Sequence, residues 1–197
     1  RLTILRCTLV VESDGVRQTS VANYSFFTAR PKSNVHGRVE ISFSQKRGQT
    51  RLSHLYQRQP LRVLHPRPLA GDILSTVLVN TSGGLVGGDC LQMQLNVGSG
   101  AKVLATTQAA DKVYRSTGAD SRVTSDIYVA DGAWLEWLPH ETIIFEAARL
   151  RRRTTLNVGS TGRLMAGELL VFGRSAHGEN LTRGLVHDEW SVRFQDR

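Results

Sequence analysis

One pattern recurs along this chain at a nearly fixed interval. Leu95-Asn96-Val97-Gly98-Ser99-Gly100-Ala101-Lys102-Val103 aligns without a gap on Ile127-Tyr128-Val129-Ala130-Asp131-Gly132-Ala133-Trp134-Leu135, 32 positions on. Leu156-Asn157-Val158-Gly159-Ser160-Thr161-Gly162-Arg163-Leu164 aligns again with one inserted residue. Each copy alternates apolar and polar residues, turns at glycine, then alternates again, which is the signature of two strands joined by a tight turn. A unit of about thirty residues cannot bury its apolar face alone, but stacked units cover one another. The expectation is a mainly β fold of stacked β-hairpin layers, solenoid-like or sandwich-like.

The rest of the chain agrees with that reading. Arg38–Phe43 and Gln92–Val97 alternate with period two, and strands are expected at 50–57, 73–80, 101–106, 122–129, 133–138, 141–146, 153–158 and 163–172. Turn signals separate them at the 8–12-residue spacing typical of all-β domains. One or two short helices complete the expectation. The best is Thr107–Ser116, where Thr107 could cap and Ala109, Ala110, Val113 and Tyr114 share a face. Residues 1–34 carry little pattern beyond Leu9-Val10-Val11 and a break at Pro31, and read as a loosely attached leader foreign to the fold.

Composition narrows the function classes. The chain has 197 residues and a formal charge of +8, which fits one domain with a core of its own. No apolar run approaches the roughly 18 residues of a membrane-spanning helix. Cys7 and Cys90 form no CxxC pair or disulfide framework, so a reducing, cytoplasmic setting is the simplest expectation. Basic charge concentrates in residues 1–60, with ten Lys/Arg against three Asp/Glu, while 111–150 is acidic with four against seven. A basic β-domain that binds nucleic acid is therefore the alternative reading. Against it, the cations are scattered and no zinc module or aromatic RNA-binding signature accompanies them. Solvated strand faces and a protein-binding surface account for them.

Catalytic signatures are missing from the sequence. Gly83-Gly84-Leu85-Val86-Gly87-Gly88-Asp89 lacks the Lys of a phosphate loop and leads into a strand rather than a helix. It reads as two tight turns in which at least two glycines take positive φ. There is no G-x-S-x-G elbow, and the six histidines form neither HxxxH nor HExxH. Looser groupings remain: Glu136, His140 and Glu141 flank Trp137-Leu138-Pro139, with Glu146 beyond and Glu168 in the third repeat copy. Carboxylates with an imidazole suit a borderline divalent ion held weakly.

Longer words are more specific. Arg51-Leu52, Leu55–Leu64, Asn80–Asp89, Thr106–Ser116, Leu135–Phe145 and Gly173–Glu179 occur in this order. Together they resemble the urease accessory protein UreD (UreH) family, over about residues 35–197. The resemblance implies a non-enzymatic, mainly β protein of the cytoplasm that serves as scaffold and nickel conduit in maturing the urease metallocentre. It implies binding to the urease apoprotein and to UreF, and through UreF to the GTPase UreG. It implies no tightly bound cofactor, only Ni²⁺ in transit along an acidic interior path. Asp89, Glu136, Glu141 and Glu168 are the acidic residues in or beside the family-like words, and so the candidate lining. Two departures are visible. Pro139-His140-Glu141-Thr142 stands where the family usually has Pro-Gln-Glu-Thr, and members usually run well past Arg197, so a C-terminal truncation is expected.

Overall fold

A computed structural model describes residues 3–11, 36–69, 71–174, 177–179 and 181–194. Its strands are β1 (Thr3–Val11), β2 (His36–Lys46), β3 (Gln49–Arg58), β4 (Leu61–Leu64), β5 (Leu74–Asn80), β6 (Cys90–Val97) and β7 (Lys102–Thr107). They continue with β8 (Asp111–Val113), β9 (Ser121–Val129), β10 (Trp134–Trp137), β11 (Thr142–Ile144), β12 (Arg149–Val158), β13 (Arg163–Phe172) and β14 (Leu185–Phe194).

These strands form two sheets. One runs β4-β5-β7-β10-β13, with β8 and β11 continuing the lines of β7 and β10, and with β1 antiparallel on β13. The other runs β14-β12-β9-β6-β2-β3. From β5 onward the chain passes repeatedly from one sheet to the other and returns one layer further along, so neighbours from β5 to β14 are parallel. This is the coil of a solenoid flattened into a sandwich.

The internal repeat is that coil. Leu95, Ile127 and Leu156 pair in register across one sheet, and Val103, Leu135 and Leu164 across the other. All six are buried. Fully burying one such side chain is worth about 1.5–3 kcal/mol, so equivalent positions of the repeat stabilise one another directly. One feature differs from a stack of hairpins. The strands flanking each turn of the repeat, β6 and β7, β9 and β10, and β12 and β13, lie in opposite sheets and arch across the core instead of pairing.

The helix expected over 107–116 is absent. β7 ends at Thr107, and β8 begins at Asp111 after a short turn. Ala109 and Ala110 favour helix intrinsically, but the backbone here bonds outward. Gln108 N–H donates to Leu78 O and Asp111 N–H to Glu141 O, both at 2.9 Å, while His140 N–H donates to Thr107 Oγ1. Sheet partners some thirty residues away outweigh a propensity of a few tenths of a kcal/mol per residue.

The glycine loop behaves as two turns. Gly83, Gly84 and Gly88 have φ of 77°, 148° and 98°. At Gly84 a Cβ would also meet Tyr114 Cε2 at 2.5 Å and Lys112 O at 2.7 Å. The loop is thus pressed against β8 and the residue that follows it, and Leu85 N–H donates to Lys112 O there. Within the stretch read as a leader, Thr3–Val11 lies along β13; residues 12–34 fall outside the described residues.

Candidate functional site

Strand alternation places charged residues where apolar ones are expected. In β12, Leu150, Thr154, Leu156 and Val158 are buried on the inner face, and Arg152 shares their parity. In β13, Glu168 falls between buried Ala166 and Leu170, and in β14 Asp188 follows buried Val186. Arg152 and Asp188 are neighbours in register. Three charges therefore project into the space between the sheets.

They form one network. Arg152 Nη2 lies 2.5 Å from Glu168 Oε2 and also bonds Asp188 Oδ2, while Arg152 Nε donates to the same Asp188 oxygen at 3.1 Å. Arg152 Nη1 donates to Thr142 Oγ1 at 3.1 Å, and Trp190 Nε1–H donates to Glu168 Oε1 at 2.8 Å. The side chains of Arg152, Glu168 and Asp188 are 12%, 8% and 12% exposed. Asp188 Oδ1 is buried without a hydrogen-bond partner.

Two acids share one cation, and the balance shows in the protonation of Glu168. Burial alone would lower the pKa of Arg152, but Glu168 and Asp188 overcome it and hold the guanidinium charged. Burial pushes the Glu168 carboxyl up to about 7; Arg152 opposes the rise, whereas the charge of Asp188 adds to it. Near neutrality Glu168 is therefore poised to exchange its proton, which adds or removes one negative charge in the network.

A cleft with roughly 210 Å³ of internal space adjoins this network. Asn80, Gly84, Met93, Gln108, Asp111 and Val123 are among its lining residues. Val123 is the register neighbour of Arg152, and Asp111 that of Thr142. Burial raises the pKa of Asp111, against the pull of Arg152. The cleft thus extends from the glycine loop to strand neighbours of Arg152 and Thr142, while Arg152, Glu168 and Asp188 themselves do not line it.

The four acids singled out from sequence do not converge. Glu168 lies in the interior cluster. Glu136 accepts from Trp134 Nε1–H at 2.9 Å and alternates with buried Leu135 and Trp137, which puts it on the outer face. Glu141 precedes buried Thr142; its side chain is 40% exposed and 3.9 Å from His140 Nδ1. Asp89 is 2% exposed and closes the glycine loop, its Oδ2 accepting from Val86 N–H at 3.0 Å while its Oδ1 is buried and unpartnered. Among the described residues no three His, Cys, Asp or Glu side chains are grouped to hold a metal ion.

Arg152, Asp188 and Asp111 were not singled out from sequence. The available signal was a charge at an inward position of a strand, hidden at Arg152 inside a basic triplet.

The UreD urease accessory protein family model matches residues 35–197. The chain belongs to the UreD family. A UreD urease accessory protein of Magnetococcus marinus is 51% identical over 84% of this chain and 57% of its own length. Those of Rhodopseudomonas palustris and a Chelativorans species are 43% and 37% identical over 78% and 90% of this chain, and 54% and 62% of their own lengths. The chain thus spans little more than half the length of these UreD relatives. UreD is a family of accessory proteins, not of catalysts. Among the described residues no helix is long and apolar enough to cross a membrane.

Proposed function

We propose that this chain acts in the cytoplasm in urease maturation, as a scaffold and transit path for Ni²⁺. Its partners are the urease apoprotein, UreF, and UreG recruited through UreF. The observation that carries the reading is the charged cluster of Arg152, Glu168 and Asp188 between the sheets of a UreD-family chain. Buried charge of this kind costs stability unless it is well paired, and here one carboxylate oxygen is left over.

The chemistry suits passage better than storage. Carboxylate oxygens hold a borderline divalent ion weakly, and few ligands are grouped. A cation reaching Glu168 replaces its exchangeable proton, so passage costs no large charge imbalance. Arg152 holds the acids apart from the cleft until a cation competes for them. Asp89 lies in the loop at the cleft's glycine end, and Glu136 and Glu141 stand on the surface, where they attract the ion without holding it. No tightly bound cofactor is required.

The test compares Glu168→Gln with Glu141→Gln in cells that assemble urease. Urease nickel content is measured beside a pull-down of UreF and apo-urease from the same lysate. Lower nickel with an intact complex is expected for Glu168→Gln. Normal nickel loading in both variants removes the carboxylates from the path, and loss of the complex makes them structural.

A further inference from the structure

β3 is the last strand of its sheet, and among the described residues it pairs with β2 alone. Among the described residues nothing occupies its other backbone edge, which is the geometry strand addition uses. Leu52 and Leu55 pair with Phe43 and Ile41, which are buried at 2% and 1% exposure, so both belong to the core-facing side. Yet Leu52 is 40% and Leu55 36% exposed, because β4, with four residues, roofs little of a ten-residue strand. On the opposite face Tyr56 is 44% exposed. Among the described residues the core therefore runs out at β3 with its apolar face only partly covered.

Charge says what fits there. From His36 to Leu69 the chain carries Arg38, Lys46, Arg47, Arg51, Arg58, Arg62 and Arg67 against the single acid Glu40. Glu40 is itself occupied by Arg38 Nη2 at 2.7 Å. An occupant that continues the sheet must place its own apolar residues over Leu52 and Leu55 and bring negative charge to the arginines. Electrostatic complementarity of this kind steers association and fixes register. Backbone pairing along the edge supplies affinity, and alternate side chains supply specificity.

We infer that β3 is a docking edge for an extended, acidic segment of a partner protein, which adds as a further strand and buries Leu52 and Leu55. An unpaired strand edge beside overhanging leucines favours a polypeptide over nucleic acid, whose phosphates would use the arginines and leave both the backbone edge and the leucines unused. The inference is independent of the nickel path, since β3 is at the opposite end of its sheet from β14, which carries Asp188.

The test places the photo-crosslinking residue p-benzoylphenylalanine at Leu55, at Leu52, at Tyr56 and, as a control on exposed sheet surface, at Tyr128 of β9. The chain is expressed in its native cells, irradiated and purified, circular dichroism confirms that each variant is folded, and mass spectrometry reads the linked peptide. Leu55 or Leu52 is expected to capture one net-acidic segment of another protein that Tyr128 does not. Arg47→Glu with Arg51→Glu should lower that yield at least fivefold in a folded chain. The inference is overturned if the yield matches the Tyr128 control, or if the charge reversals leave it unchanged. It is equally overturned if the linked species is nucleic acid, a basic segment, a second copy of this chain, or residues 12–35 of the same chain.

Discussion

Glu168→Gln also tests the electrostatics of the interior without any partner. The substitution keeps the side chain's shape and an oxygen to accept from Trp190 Nε1–H, now 2.8 Å from Glu168 Oε1. What it removes is the ability to ionise. In the folded chain the carboxyl keeps its proton to about pH 7, whereas an ordinary Glu loses it near 4.5. The folded state therefore binds more protons than the unfolded one in this window, and wild-type stability must fall as pH rises through it. The contribution is fully present below about 4.5 and lost by pH somewhat above 7. The gap corresponds to on the order of 3 kcal/mol, at 1.36 kcal/mol for each tenfold difference in proton affinity. The variant lacks this dependence and shares every other titrating group. Urea unfolding followed by tryptophan fluorescence, from pH 5 to 8.5, should show the stability difference moving by about 2–3 kcal/mol in favour of Glu168→Gln, or about 1 M or more in midpoint. A difference that stays flat, or moves towards the wild type with rising pH, would refute the assignment of the proton to Glu168.

The remaining predictions concern the frame. Gly84→Ala should destabilise by about 2–3 kcal/mol, since its Cβ meets Tyr114 and Lys112 as well as adopting a costly φ, whereas Gly83→Ala, with open space around it, should cost about 1 kcal/mol; paired denaturant curves give the order. Asp120→Asn should cost about 2–3 kcal/mol near pH 7, because Arg149 Nε and Arg151 Nε donate to its two oxygens at 2.7 and 2.6 Å. Despite the opposing effect of burial, the two arginines hold the Asp120 carboxyl below its ordinary value, so that loss should shrink as pH falls below about 4. Leu156→Ala, at the centre of the stacked repeat, should cost about 2–5 kcal/mol in the same assay.

The fold was legible where local pattern and tertiary need agree. Val97, Val129 and Val158 announce the coil because the same alternation that makes each a strand residue also stacks it on the next. It was illegible where they compete. Ala109 and Ala110 point to a helix, yet the donors around them are taken by β5 and by the residues leading into β11. β14 went unseen because His187-Asp188-Glu189 interrupts its apolar alternation. The site failed in the same way. Glu168 emerged through family-like words, but its counter-ion Arg152 sat inside Arg151-Arg152-Arg153, which reads as solvated surface until strand parity turns the middle residue inward.

The coil geometry sets a rule for which length changes this chain tolerates. Leu95, Ile127 and Leu156 stack although 32 and 29 residues separate them, so the turns absorb differences of a few residues between layers. A strand has no such slack. Inserting one residue into β9 would carry Ile127 and Val129 to the solvent side and Tyr128 into the core, reversing every later contact of that strand. Insertions and deletions should therefore survive at the arches, or as whole layers of about thirty residues, and be eliminated inside β6, β9 and β12. The permitted lengths of such a chain are quantised by its own pitch.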